Sequence, residues 1–265
     1  MRLPWIPLSA ALCIAMAMGC RGGRSQNDVI VAGSTSIQPF ADKWAEVFME
    51  TRPNLGVSVQ GGGSSAGIQA CKSGACQIGM SSRELKADEK DLHEIVIARD
   101  GLAIIVHPSN PVRGIALLQV KQIFTGDLAN WKYLGGPDRE ITVVTREEGS
   151  GTRGAFQELV MGKSRIFRGA ITEDSNGTVR EIVASDPHSI GFISLGLVND
   201  RVRALALDGV EGNEASIRAG RYKLVRPFLF VTRGEPTGAA KAFIDFVLSD
   251  EGQALVKKEG LIPVK

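Results

Sequence analysis

The sequence predicts an α/β protein of two lobes, each a mixed, mostly parallel sheet flanked by helices, with two crossing strands as the hinge. Three observations carry this expectation. From residue 28 onward short apolar runs alternate with amphipathic helical patterns, the order expected of a sheet covered by helices on both faces. Three turns rich in glycine and hydroxyl residues each follow a strand and open a helix, at Ser34-Thr35-Ser36, Ser64-Ser65 and Ser150-Gly151-Thr152. The chain of 265 residues is long enough for two cores. A single doubly wound sheet would show the same alternation.

Residues 1–27 stand apart from that pattern. Arg2 precedes an apolar stretch from Leu8 to Met18 that is short for a bilayer span, and Ala17-Met18-Gly19 leads into Cys20. Residues 1–20 read as an export signal, with Cys20 as the lipidated first residue of the mature chain. Simple cleavage and an uncleaved anchor are the alternatives. Residues 21–27 form a flexible tether.

The folded body begins with the strand "DVIVAG" and a helix whose Phe40, Trp44, Val47 and Phe48 share one face. "GVSVQ" is a strand, "SSAGIQACKSG" a small helix closed by glycine, and "CQIGM" a further strand. A charged helix should lead to His93, and "GLAIIVHP" reads as a strand buried on both sides. The second series comprises a helix ending near Gly126, the strand "EITVVT", a helix after Ser150, the helix "NGTVREIVASDP", and the strands "SIGFIS" and "VRALAL". The strand "YKLVRPFLFVTRG" and two helices carrying Phe243, Phe246, Val247, Leu255 and Val256 close the chain. The expected lobes are 28–107 with 227–265, and 108–226, the chain crossing near 104–110 and returning near 226–231.

Composition removes several functions. Lys and Arg number 31 against 29 Asp and Glu, so no basic field attracts nucleic acid. Aromatic residues make up 6% of the chain, which disfavours sugar or peptide cargo stacked on rings. His93, His107 and His188 are solitary, and no spaced His or carboxylate motif suggests a metal. Cys13 falls in the signal and Cys20 would carry lipid, leaving Cys71 and Cys76 of "CKSGAC" as either a short disulfide or two reduced thiols.

The three hydroxyl-rich turns converge on one expectation. In an open α/β sheet they lie together at the carboxyl ends of the strands, where helix N-termini offer unpaired N–H groups to an anion. Each turn taken singly is an ordinary helix cap. Arg146, four residues before Ser150, adds the planar pair of donors that a tetrahedral oxyanion fits. Glu148 is expected to brace that guanidinium, with Glu147 facing water. The glycine turns lack the spacing and lysine of nucleotide-hydrolase phosphate loops.

"GSTSIQPFADKW", "QGGGSSAGIQ", "IGMSSREL", "IFTGDLANWKYLGG" and "TREEGSGTRGAF" together resemble the extracytoplasmic phosphate-binding proteins of phosphate ABC transporters, over essentially the whole mature chain. The resemblance implies the two-lobed periplasmic-binding-protein fold closing over one inorganic phosphate, without metal, cofactor or catalysis, as a monomer that feeds permease subunits. It implies ligand contacts from Thr35, Ser36, Ser64, Arg146, Ser150, Gly151 and Thr152, with Glu148 as the bracing acid. One position departs: where well-known members carry Asp in "G-A-S-D", this chain has Gly79-Met80-Ser81-Ser82, so Ser82 stands in place of the carboxylate. A carboxylate repels fully ionised sulfate and accepts a proton from phosphate, whereas a serine accepts or donates. Rejection of sulfate and arsenate is therefore less assured. Arg83 is expected to pair at the surface. Other readings are a carrier or sensor of another oxyanion such as sulfate or molybdate, and an exported phosphatase with Ser150 as nucleophile.

Overall fold

The computed structural model describes residues 28–265. The expected signal, Cys13, the lipidation site Cys20 and the tether lie outside the described residues. Among the described residues no helix is long and apolar enough to cross a membrane.

The first lobe starts with β1 (Asp28–Gly33), α1 (Gln38–Thr51), β2 (Gly56–Gly61), α2 (Ser64–Ser73) and β3 (Ile78–Ser81). β1 pairs in parallel with both β2 and β3. In α1, Phe40, Trp44 and Phe48 recur every four residues and are buried, with Pro39 in the first turn, where no intrahelical N–H is lost. α2 lies unusually close to β1, because a Cβ on Gly67 would sit 2.4 Å from the carbonyl oxygen of Ala32. That approach sets the start of α2 at the carboxyl ends of β1 and β3.

β4 (His93–Val106) is longer than the apolar run in its sequence suggested. The segment before it holds only a single 3-10 turn at Ala87–Glu89, not the expected charged helix. Arg83 is likewise not at the surface. Its guanidinium is buried and grips the Glu89 carboxylate with two hydrogen bonds, Nη1 to Oε2 at 2.7 Å and Nη2 to Oε1 at 2.9 Å. The partner lies six residues on, across an irregular turn, so no periodic pattern announced it.

The second lobe follows with β5 (Gly114–Ile115), α3 (Leu117–Thr125), β6 (Thr142–Arg146), α4 (Gly151–Phe156), β7 (Ile171–Glu173), α5 (Asn176–Ser185), β8 (Ser189–Ser194), β9 (Arg203–Ala204), β10 (Ala206–Leu207) and α6 (Glu214–Arg218). β5, β7 and α6 are too short to have shown a period in the sequence. The expected strand "VRALAL" is two short ones, since β9 pairs with β4 and β10 with β5. β11 (Val225–Thr232) then returns to the first lobe, capped by α7 (Gly238–Val247) and α8 (Asp250–Lys258).

The strand order β2-β1-β3-β11-β4-β8-β6-β7 makes the sheet mixed. β11 is antiparallel to β3 and β4, β4 is antiparallel to β8, and β6 is parallel to β7 and β8. The crossing falls earlier than expected. β4 pairs with β11 up to Gly101, opposite Val225, and with β8 from Leu102, opposite Ser194. One strand exchanges partners without a break in its apolar run, and a pattern of burial cannot show which strand does the burying.

Each side of that exchange has its own core. Val31, Trp44, Phe48, Met80, Phe230 and Phe243 pack in the first lobe, where Phe48 and Phe243 meet edge to face with centroids 5.3 Å apart. Ile104, Phe124, Trp131, Phe156, Phe192 and Leu224 pack in the second, with Phe156 stacked on Phe192 at 4.1 Å. Cys71 and Cys76 belong to a smaller cluster with Ile68, Leu229 and Val231. They are free thiols and not a bridge. Each is engaged elsewhere: Cys71 Sγ donates to the Val231 carbonyl at 3.3 Å and Cys76 Sγ to that of Gly67 at 3.9 Å.

Hydrogen bonds from Arg83 hold the Glu89 carboxyl below its ordinary pKa. Glu89→Ala leaves a buried guanidinium uncompensated, and chemical unfolding at neutral pH should show a loss of about 3 kcal/mol. Because the folded pKa is depressed, this contribution is present above the ordinary glutamate range and disappears as pH falls through the lowered value. The gap between variant and wild type should therefore narrow in acid.

Candidate functional site

The cleft between the lobes gathers the three hydroxyl-rich turns. From the first lobe come Ser34, Thr35 and Ser36 after β1, Ser64 at the start of α2, and Ser82 after β3. From the second come Arg146 at the end of β6 and Ser150, Gly151 and Thr152 at the start of α4. Ser36, Ser64, Ser82, Arg146, Ser150 and Thr152 are buried, although all are polar.

Their mutual distances define one pocket. Arg146 Nη2 donates to Thr35 Oγ1 at 3.1 Å across the cleft. Ser36 Oγ and Thr152 Oγ1 are 2.6 Å apart, again between lobes. Ser34 Oγ donates to Ser82 Oγ at 2.8 Å, and the Ser82 N–H donates to Ser64 Oγ at 3.1 Å. Ser65 N–H reaches the Gly149 carbonyl at 3.1 Å. Gly151 fits only as glycine, since a Cβ there would lie 2.1 Å from Ser64 Oγ and 2.5 Å from Ser82 Oγ. Ser150 accepts from the Arg153 N–H at 3.2 Å as the cap of α4. The N–H groups of Gly151 and Thr152, in the first turn, have no intrahelical acceptor.

Arg146 is the only cation among these cleft residues. Its Nε and Nη2 are bound by the Glu147 carboxylate at 2.9 and 3.0 Å, and by the carbonyls of Glu173 at 3.2 Å and Asp174 at 2.8 Å. Its Nη1 is buried and has no partner among the described residues. Burial pulls the guanidinium below its ordinary pKa, with Glu147 opposing. The guanidinium is thus paired along its Nε–Nη2 edge and left without an acceptor at Nη1 among the described residues.

The structure corrects one expected role. Glu147, not Glu148, braces Arg146. Glu148 is exposed, and its nearest cation is Arg153 at 3.9 Å. Past Arg146 the chain leaves the extended conformation in a turn closed by Ser150 N–H to the Glu147 carbonyl. That turn folds Glu147 back onto its neighbour and sends Glu148 to solvent. Glu148 would share the face of Arg146 only if the strand continued past it.

Ser34, part of the first expected turn though not among the expected ligand contacts, joins the hydroxyl chain. Three contributors were missed in the sequence. Asn176, at the start of α5, donates from Nδ2 to Ser36 Oγ at 2.8 Å. Arg226 of β11 and Asp100 of β4 form a fully buried ion pair beneath the pocket, Nη2 to Oδ2 at 2.8 Å. Their only signal was polarity inside otherwise apolar strands. Burial raises the pKa of Asp100 despite the opposing pull of Arg226. Among the described residues no group of three His, Cys, Asp or Glu is placed to hold a metal ion.

This architecture has close counterparts. A PBP superfamily domain matches residues 22–251. The phosphate-binding protein PstS of Bacillus subtilis (strain 168) is 37% identical over 249 residues, covering 91% of this chain and 82% of that one. The crystal structure of a Clostridium perfringens protein with bound phosphate is 44% identical, with a TM-score of 0.88 over 90% of this chain and 100% of its own. An ABC-type phosphate transport receptor from Vibrio cholerae is 36% identical, with a TM-score of 0.75 over 88% of this chain and 99% of its own. With two lobes, a hinge of paired strands and a polar cleft between them, the chain belongs to the PBP superfamily and, within it, to the PstS family.

Proposed function

We propose that the chain binds inorganic phosphate in the interlobe cleft, outside the cytoplasmic membrane, and delivers it to the permease subunits of an ABC transporter. The observation that carries this reading is Arg146 Nη1, a buried donor without a partner beside a ring of hydroxyls and helix N-termini. A small oxyanion supplies the acceptors that Nη1 and the helix N-termini call for. We place the contacts at Thr35, Ser36, Ser64, Ser82, Arg146, Ser150, Gly151 and Thr152. The expected lipid anchor on Cys20 would tether a monomeric carrier to the membrane surface.

A carrier is favoured over a hydrolase. Ser150 Oγ is engaged as a helix cap by Arg153 N–H, and no histidine stands as its base among the described hydrogen bonds, whereas nucleophilic serine chemistry requires one. Ser82 favours a second reading within the carrier class. The pocket presents a hydroxyl where a carboxylate would exclude a fully ionised anion, so sulfate is a competing cargo.

Titration calorimetry tests the site. Arg146→Ala should weaken phosphate binding by about 3 kcal/mol, since the braced Glu147 then loses its partner as well. Wild-type affinity in that variant overturns the assignment. Ser82→Asp should lower sulfate affinity much more than phosphate affinity, and equal loss for both would contradict the role given to this position.

Gly151→Ala separates closure from folding. The added methyl would meet Ser64 and Ser82, which belong to the opposite lobe. Phosphate affinity should fall at least about 100-fold, while the unfolding temperature of the ligand-free chain changes little.

A further inference from the structure

Asn176 is 1% exposed, sits on the second lobe, and touches the first lobe through Ser36. The orientation of its amide is fixed by its other partner. The backbone N–H of Ser194 lies 3.1 Å from Oδ1 and can only donate, so Oδ1 must face it and Nδ2 must face Ser36. Ser194 is itself anchored, because its hydroxyl donates to Asp100 Oδ1 at 2.8 Å.

The hydroxyl of Ser36 therefore has little freedom. It receives Asn176 Nδ2 at 2.8 Å and Arg226 Nη2 at 3.4 Å, both groups that donate and never accept. Two donors occupy its two lone pairs. Its one proton is left for Thr152 Oγ1, 2.6 Å away. Thr152 then accepts from Ser36, and its own proton is directed away from Ser36, toward the cleft.

We propose that Asn176 is a positioning residue, which sets the direction of the Ser36–Thr152 hydrogen bond so that Thr152 keeps its proton for the anion. This inference rests on the phosphate reading and deepens it. Thr152 then donates to an unprotonated anion oxygen. The same bond crosses the cleft, so the relay is set only when the lobes are shut. The Asp100–Arg226 pair fixes the relay to both hinge strands: Arg226 holds Ser36 and, through Nη1 at 3.2 Å, the Ser82 carbonyl, while Asp100 holds Ser194.

Asn176→Ala and Asn176→Asp test this by phosphate titration of the mature chain across pH. The aspartate is close in shape to asparagine. As a carboxylate it accepts from Ser36 and reverses the relay; once protonated, its O–H donates to Ser36 as the amide did. Asn176→Ala should bind phosphate about 10-fold more weakly than wild type, by the same factor at every pH. Asn176→Asp should bind more weakly than Asn176→Ala near pH ~8 and more tightly than it near pH ~5, since the buried acid is protonated there.

Relief of charge repulsion alone would bring the aspartate variant only up to the alanine variant, so the crossing of the two profiles is the diagnostic result. Profiles that never cross, or wild-type affinity in both variants, overturn the inference. Should the alanine variant fail to unfold cooperatively, Asn176→Ser, too short to span the gap to Ser36, takes its place as the neutral reference. Absence of phosphate binding in the wild-type chain would instead defeat the phosphate reading itself.

Discussion

The cleft is organised around one buried positive charge. Removing a guanidinium from water costs several kcal/mol, and the penalty is recovered only by close opposite charge and a full set of acceptors. Arg146 has Glu147 and two carbonyls on one edge and Thr35 across the cleft, but its Nη1 is buried and unpaired. The neighbours are hydroxyls and helix starts, which stabilise an anion without carrying charge themselves, so the site discriminates by geometry and proton placement rather than by bulk attraction. The near-balance of 31 basic and 29 acidic residues fits the same logic.

A second buried charge pair lies at the hinge. Asp100 and Arg226 face each other on β4 and β11 at the point where β4 leaves one partner for another. Such a pair contributes little net stability, and its value is in fixing direction and register. Here it connects Ser36 and Ser82 of the first lobe with Ser194 of the second. The hinge and the pocket wall are thereby joined by direct hydrogen bonds.

Much of this was legible in the sequence, for identifiable reasons. α1 was readable because Phe40, Trp44 and Phe48 keep a helical period. The three anion turns were readable because glycine and hydroxyl residues fall directly after apolar runs, and the structure brings all three together. Glu147 and Glu148 were exchanged because the strand ends at Arg146, and a face assignment fails where the backbone turns. Asn176, Asp100 and Arg226 were hidden for a common reason. Each finds its polar partner through a tertiary contact, and one-dimensional periodicity carries no information on which distant residue satisfies a buried polar atom.

The central claim is that Arg146 and the first turns of helices from both lobes hold one oxyanion between them. A crystal structure of the protein grown with phosphate tests this most directly. The account predicts a single tetrahedral density in the cleft, with an oxygen about 2.8 Å from Arg146 Nη1 and further oxygens contacted by Thr35 and Ser64 on one side and by Ser150 and Thr152 on the other. Density elsewhere, or a phosphate touching one lobe alone while Nη1 stays unpaired, would contradict it.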